Sequence, residues 1–149
     1  MLSSILFYSL DKAIRQYRRM AQANIDQAGV AITIDQWLVL RVIQETDDLT
    51  QTEIAERVFK DQASVARIIR LLLERGLLSA EPLPHDGRRT QLRVTPEGLR
   101  TLEAVEPVVL NNRAKALQGL SENDLNTLRF LLEQIAGNCT SAPDEVSGG

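Results

Sequence analysis

The chain has 149 residues, of which 44% are hydrophobic and 25% are charged, and its formal net charge at pH 7 is −3. This length suits one globular domain with a core of its own. A single cysteine, Cys139, and a single histidine, His85, exclude an internal disulfide framework and leave too few ligands for a structural zinc site, so we expect no metal and no cofactor.

The N-terminal segment, residues 1–30, predicts one amphipathic helix. Leu6, Leu10, Ala13 and Tyr17 recur at steps of four and three, which is the spacing of one helical face. No basic segment precedes the apolar run and no cleavage site follows it, so a signal peptide is not expected. Nor does any run approach the ~18 apolar residues of a membrane span. We expect a cytoplasmic protein with no membrane partner.

The next part of the chain predicts three helices in close succession. Two stretches, Thr33–Gln36 and Thr50–Glu53, have the capping-box pattern, in which two side chains satisfy free amides at a helix start. The third helix is predicted to begin after Asp61, its N-cap, and to stop before Gly76.

A hairpin is predicted to follow the third helix. Residues 77–83 and 90–95 predict two strands, the second with alternating apolar and polar side chains. The polar tip between them spans residues 85–89, and Gly87 is expected to make the turn. Two tightly connected helices followed by such a hairpin form a winged helix-turn-helix, which is a DNA-binding arrangement.

The C-terminal part predicts two further helices. Thr95 and Pro96 mark the start of a long helix that Pro107 should kink, and Ser121 starts a last helix that ends at Gly137. Residues 137–149 are expected to form a disordered tail. The apolar stripes of the terminal helices exceed what a small lobe can cover, so a second copy of the chain is the natural partner; packing within a monomer is the alternative.

Charge is distributed unevenly along the chain. Residues 1–50 carry a balance of −1, residues 51–93 carry +2, and residues 94–149 carry −4. The segment with the helix-turn-helix pattern is therefore the only positive one, as expected for a DNA-binding lobe in an otherwise acidic protein.

Candidate DNA contacts lie on the third helix and at the hairpin tip. A helix fits the major groove, where arginine can donate two hydrogen bonds to guanine and glutamine can recognise adenine. Tip arginines can enter the minor groove, whose negative potential attracts them. Solvated cationic surfaces are the alternative for both. The candidates are Thr50 and Lys60 for phosphates, Gln62, Ala63, Ser64, Arg67 and Arg70 on the helix, and Asp86, Arg88 and Arg89 at the tip, with Asp86 bracing Arg88 or a backbone amide.

The tip and the segment after it carry a family resemblance. Asp86-Gly87-Arg88, followed by Val94-Thr95 and then Gly98, resembles the D-x-R…T-x-x-G signature of the MarR family of bacterial regulators. The stretch LLERGL at residues 72–77 is similar to that family's end of the recognition helix, and the order of elements matches over residues 1–136.

The resemblance implies a fold that is mainly α with a small β-hairpin wing. Dimerisation helices would span residues 1–30 and 97–136, and the winged helix DNA-binding lobe would span residues 33–95. It also implies an obligate homodimer in which each lobe binds half of a pseudo-palindromic operator in double-stranded DNA.

Many proteins of this family are repressors that a small lipophilic or phenolic ligand releases from DNA, bound between the dimerisation region and the lobe. By matching position, Arg88 would be the wing arginine and Asp86 its brace, while Gln62, Ser64 and Arg67 would face bases. The resemblance assigns no residue to the ligand.

Other functions are weighed against this one. A dimeric protein-interaction module or antirepressor would use the winged helix without DNA, consistent with the acidic balance. An enzyme is not expected, because one histidine, one cysteine and no phosphate-binding glycine loop leave few catalytic candidates. Cys139 lies in the expected tail, which favours an ordinary thiol over a redox sensor. Trp37 is expected in the core, with the lining of a ligand pocket as the alternative.

Overall fold

The computed structural model describes residues 1–140. The chain forms two compact units, residues 1–116 and a second that starts at Leu117. The predicted class, mainly α with a β-hairpin, is confirmed. The elements in chain order are a 3₁₀ helix Leu2–Ser4, α1 Leu6–Gln27, α2 Ile34–Glu45, α3 Gln51–Val58, α4 Gln62–Glu74, β1 Leu78–Leu83, β2 Asp86–Val94, α5 Pro96–Ala116 and α6 Glu122–Cys139.

The helices α2 and α3 begin where the capping pattern predicts. The Thr33 hydroxyl oxygen accepts from the Gln36 amide at 3.1 Å, and the Gln36 side chain accepts from the Thr33 amide at 3.1 Å. Thr50 and Glu53 make the same reciprocal pair of hydrogen bonds, also at 3.1 Å. Each box satisfies two amides that the helix itself leaves free, which fixes the first residue of the helix.

The wing differs from its prediction in the position of the turn. Leu78 pairs with Val94 and Pro82 with Thr90, but Leu83 pairs with Asp86, so residues 87–89 form a bulge. The turn therefore lies at Pro84 and His85, and the expectation that Gly87 makes it is wrong. Proline has its φ already fixed at a turn value, which gives Pro84 the advantage over a glycine three residues later.

The root of the wing explains the T-x-x-G part of the signature. The Thr95 hydroxyl donates to the Gly76 carbonyl at 2.6 Å and accepts from the Gly98 amide at 3.0 Å. A Cβ on Gly98 would lie 2.3 Å from the Leu77 carbonyl oxygen and 2.7 Å from a Val94 methyl group. Only glycine therefore allows α5 to start this close to the two strands.

One hydrophobic core joins the helices α1 to α5 of the first unit. Its members come from every one of these helices and from the root of the wing. Among the least exposed are Ile25, Val39, Leu40, Ile54, Val65, Leu72 and Val105.

A buried polar contact fixes α5 against α1. The side chain of Asn112 is 1% exposed; its oxygen accepts from Asn24 at 2.7 Å and its amide group donates to the Ala21 carbonyl at 3.4 Å. Because an unpaired buried amide is costly, this pair favours one register of the two helices. The helix α5 continues through Pro107 to Ala116.

The helix α6 is described by itself. Ser121 and Asp124 form the predicted capping box. The helix buries none of its residues and exposes Leu128, Phe130, Leu131 and Leu132. It extends two residues past the predicted end at Gly137; residues 141–149, the remainder of the predicted tail, lie outside the described part of the chain. Within residues 1–140, no helix is long and apolar enough to cross a membrane.

Candidate nucleic-acid interface and the adjoining cavity

The helix α4 starts with a side-chain cap. The Asp61 carboxylate accepts from the Ser64 amide at 2.8 Å and from the Ser64 hydroxyl at 2.8 Å. These hydrogen bonds, that of the backbone amide first, hold the pKa of Asp61 below its ordinary value. The hydroxyl proton of Ser64 is thus committed to the cap, and its oxygen lone pairs remain for a DNA contact.

One face of α4 is exposed and cationic, as the sequence indicates. The opposite face buries Val65, Ile69 and Leu72 in the core, which holds the helix in place. None of the ion pairs found within residues 1–140 involves Arg67 or Arg70. The exposed residues are Gln62, Ala63, Arg67 and Arg70, and Ser64 is half-buried beside them.

The two wing arginines have different surroundings. Asp86 accepts a hydrogen bond from the backbone amide of Arg88 at 3.1 Å and so stiffens the bulge, while the Arg88 guanidinium is exposed and in no ion pair among the described residues. The Arg89 guanidinium instead lies 3.4 Å from the Asp48 carboxylate in the loop between α2 and α3. Sequence reasoning missed Asp48, because 41 positions separate the two residues.

Two predicted phosphate contacts have other partners in the structure. The Lys60 ammonium lies 3.1 Å from the Asp35 carboxylate, which also accepts a hydrogen bond from Arg18. The Thr50 hydroxyl oxygen accepts the cap hydrogen bond from the Glu53 amide, and its proton remains able to donate to a phosphate. Lys60 therefore has an ion-pair partner in the free protein, and its role as a phosphate contact stays a prediction.

Asp35 is the centre of this second cationic group. Its partial burial raises the pKa, but the hydrogen bonds from Arg18 and Lys60 and the charges of both residues outweigh burial and hold the pKa of Asp35 below its ordinary value. The carboxylate is therefore ionised at neutral pH, and it joins α1, through Arg18, to the turn between α3 and α4, through Lys60.

A cavity of about 840 Å³ lies beside this ion-pair group. It is formed by α1, α2, α5 and the turn that precedes α4. Trp37 lines it and also packs against the core, so both sequence interpretations of this residue describe part of its environment. The other apolar lining residues include Ile14, Tyr17, Leu38, Phe59 and Val109.

The charged lining of the cavity is predominantly positive. Five cations, Arg15, Arg18, Arg19, Lys60 and Arg113, face two carboxylates, Asp11 and Asp35. Arg15 is paired with Asp11 at 2.9 Å, and Asp35 is paired with Arg18 and Lys60, so both carboxylates are engaged. A mostly apolar cavity whose lining has an excess of cations favours an anionic ligand with an apolar body.

Comparisons with known proteins agree with these observations. The sequence profile of the MarR family matches residues 29–89, which run from the loop after α1 to the wing bulge. The HTH-type transcriptional repressor IacR of Pseudomonas putida is 26% identical over 132 residues, covering 89% of this chain and 78% of IacR.

Two solved structures are similar in fold. One describes how 6-hydroxynicotinic acid regulates DNA binding by BpsR of Bordetella bronchiseptica; it has 22% identity, a TM-score of 0.81, and covers 90% of this chain and 94% of that one. The other is a mutant MarR from E. coli complexed with operator DNA, with 21% identity, a TM-score of 0.78, and coverage of 87% and 92%.

Proposed function

We propose that this chain, which matches the profile of the MarR family over residues 29–89, is a homodimeric transcriptional repressor of that family. It would bind a pseudo-palindromic operator in double-stranded DNA and be released by a small lipophilic or phenolic ligand. Members of this family are transcriptional regulators rather than enzymes. Residues 1–136 would act as one functional domain, with dimerisation helices at 1–30 and 97–136, in the cytoplasm where bacterial DNA lies.

The exposed arginines of α4 and the wing carry the DNA-binding part of the proposal. Arg67, Arg70 and Arg88 are exposed and free of ion pairs within the described chain, so no protein partner must be displaced before they contact DNA. The first turn of α4 is small and polar, with Ala63 and Ser64, which permits close approach to base edges.

Exposed apolar surface supports the homodimer. The N-terminal end of α1 exposes Leu6, Phe7 and Tyr8, each at least 46% exposed, and α6 exposes its own apolar residues. Such surface on a water-soluble helix is stabilised by burial against a partner, and a two-fold dimer buries the same patch twice. Half-sites about 34 Å apart, or a multiple of that, would follow.

The cavity supports a ligand-responsive repressor. Its position between α1, α5 and the DNA-binding lobe lets a bound molecule alter the relation between them, and its volume of about 840 Å³ suits a small organic molecule. That IacR is named a repressor, and that 6-hydroxynicotinic acid regulates BpsR, favours repression released by an aromatic ligand here.

Selection from a random-sequence duplex library tests the function. The wild-type protein is incubated with the library at low salt, and bound DNA is sequenced after several rounds. We expect an enriched motif with two inverted half-sites, because two copies of α4 bind it. A protein-interaction module would enrich no sequence, and a motif without symmetry would contradict the homodimer.

A further inference from the structure

The loop between α1 and α2 (residues 28–33) is held from α1 by one side chain. The Gln22 amide nitrogen donates to the Ile32 carbonyl at 3.1 Å, and the Gln22 amide oxygen accepts from the Ile34 amide at 3.0 Å. Ile32 is itself buried in the core. Because one amide group satisfies a backbone carbonyl and a backbone N–H at the same time, it fixes both the position and the direction of this loop.

The same loop is held from another side by the residue that ends α4. Arg75, the C-cap of α4, donates to the Ala31 carbonyl and to the Gln36 side-chain oxygen, the latter at 3.3 Å. That Gln36 oxygen also accepts from the Thr33 amide in the capping box of α2. The partners of Arg75 lie 44 and 39 positions earlier in the chain, so these are tertiary contacts. A guanidinium suits this task, since its fork of N–H groups can reach two acceptors.

The helix α4 is thereby attached to α1 at both of its ends. Its start follows Lys60, which shares Asp35 with Arg18 of α1, and its end is joined to Gln22 of α1 through Arg75 and the loop. The helix has 13 residues, so at about 1.5 Å per residue the two attachments are roughly 20 Å apart. Otherwise α4 packs against α2, α3 and β1, whereas α1 packs mainly against α5. A helix attached at one end can pivot, and attachment at both ends leaves it one direction relative to α1.

We propose that Arg75 and Gln22 are positioning residues that fix the direction of α4 relative to α1, and thereby the spacing of the two half-sites that the dimer accepts. Since α1 belongs to the proposed dimerisation region, the direction of each α4 relative to its own α1 sets where the second α4 meets the DNA. This rests on the proposed function and adds the residues that select the spacing. Neither residue touches DNA in this arrangement.

The spacing of the half-sites is a sensitive readout of this attachment. One base pair inserted between them moves the second half-site by about 3.4 Å and rotates it by about 35° around the duplex axis. A dimer whose α4 helices cannot pivot must deform the DNA or lose contacts in one half-site. A dimer whose α4 helices can pivot follows part of the displacement.

The test measures operator binding by the full-length protein as the spacer changes. The probes are the selected operator and duplexes whose central spacer is one or two base pairs longer or shorter. Dissociation constants are obtained by fluorescence anisotropy at fixed salt. We expect a change of one base pair to weaken wild-type binding by at least about tenfold, and we call this ratio the spacer penalty.

Arg75→Met removes the donors and keeps an unbranched side chain. Arg75 and Ala31 are both exposed, so water replaces the lost hydrogen bonds and the fold is kept. The variant should bind the selected operator within about threefold of the wild type, and its spacer penalty should fall to about threefold or less. Arg75→Lys keeps one donor for the Ala31 carbonyl, and its spacer penalty should be intermediate.

Arg41→Met is the matched control. It also removes one guanidinium with two hydrogen bonds, but the partners of Arg41 are Gln44 and Glu45, which lie in the same helix, α2. The two variants therefore have the same net charge and differ in whether a contact between elements is lost. Arg41→Met should keep the spacer penalty of the wild type.

Gln22→Met tests the attachment from the side of α1. It should reduce the spacer penalty as Arg75→Met does, and because both residues act through one loop, the double variant should lose little more than the larger single effect. Effects on the logarithm of the penalty that add in full would mean that the residues act independently, which overturns their shared role. Arg75→Met decides the question by itself if Gln22→Met does not fold.

The outcomes separate the inference from the function on which it rests. A wild-type protein that selects no motif with two half-sites contradicts the proposed function. A wild-type protein that selects such a motif but binds every spacer equally overturns the inference alone, and so does Arg75→Met if it lowers the melting temperature but keeps the wild-type penalty. An equal loss of affinity on every spacer, with a reduced salt dependence, would make Arg75 a phosphate contact and would also overturn the inference.

Discussion

Two groups of cations, one on α4 and the wing and one around Asp35, differ in what they contact. Arg67, Arg70 and Arg88 are exposed and unpaired within the described chain. Arg18 and Lys60 are partly buried and share the Asp35 carboxylate, with side-chain exposures of 39%, 31% and 28% respectively. The first group is free to meet phosphates and bases, and the second holds the lobe to α1.

The difference between exposed and paired cations could not be predicted from the charge pattern of the sequence. Helical periodicity correctly puts Arg67 and Arg70 on the exposed face, because the opposite residues are apolar. Nothing local distinguishes Lys60 from them, since its partner Asp35 lies 25 residues earlier and approaches it only in the folded chain. An arginine or lysine becomes a DNA contact or a structural ion pair according to contacts that are distant in sequence.

The largest effect on DNA binding is expected from Arg67→Ala in the unpaired group. If Arg67 donates to a base, its loss costs about 1–3 kcal/mol in each half-site and relaxes specificity at one position of each half-site. Competition titrations with operator variants measure both quantities. An equal loss on every sequence would make Arg67 a phosphate contact instead.

Arg88, the wing member of the unpaired group, is positioned by the root of the wing, where Gly98 packs against the Leu77 carbonyl. Gly98→Ala should lower the free energy of unfolding by about 1–3 kcal/mol, because the new Cβ would overlap the Leu77 carbonyl oxygen. Denaturant unfolding measures it. Gly137→Ala is the control; nothing lies within 4 Å of a Cβ there, and its helical position should gain up to about 1 kcal/mol. Equal stability of both variants would contradict the packing at the root.

Arg89 lies on the wing next to Arg88 but is paired with Asp48, so its assignment to either group of cations can be tested. If it positions the wing by pairing with Asp48, then Asp48→Asn should weaken operator binding a few-fold, in line with the ~1 kcal/mol or less of an exposed ion pair. Removal of a negative charge near DNA would otherwise strengthen binding. The sign of the change, measured at fixed salt, therefore decides between a positioning role and a direct contact. Tighter binding would place Arg89 with the unpaired arginines.

The smallest effect concerns pH and the paired group. The folded-state pKa of Asp35 lies below its ordinary value of 3.8, so its ion pairs contribute stability above that pH and lose it as the pH falls through the lowered pKa. The difference in unfolding free energy between wild type and Asp35→Asn should be constant from about pH 5 to 8 and shrink below about pH 4. A difference that changes near pH 7 would contradict the ion-pair assignment.

Capping residues were the most predictable part of the fold. Thr33, Thr50, Asp61 and Ser121 all cap the helices that the sequence assigns to them, because a cap needs only residues three positions apart. The wing turn was not predictable in the same way. Its location follows from the register of two strands, which places Pro84 and His85 at the turn and leaves Gly87 in the bulge.

The candidate site, like the fold, was only partly predictable from the sequence. Its exposed arginines follow from local periodicity, but the partners of Lys60 and Arg89 and the cavity beside Trp37 depend on how α1, α2 and α5 pack. The exposed ring of Phe59 has no sequence signal, because a bulky residue at a helix end is normally assigned to the core.

The salt dependence of operator binding tests the division between the two cationic groups most directly. The slope of log affinity against log salt is measured for the wild type, Arg88→Gln and Lys60→Gln on the selected operator. Loss of one DNA contact reduces the slope by about 0.9, and a substitution in a homodimer removes the contact from both half-sites, so the reduction is about 1.8. We expect this reduction for Arg88→Gln and an unchanged slope for Lys60→Gln. An equal reduction for Lys60→Gln would show that this residue contacts phosphate and would contradict the account.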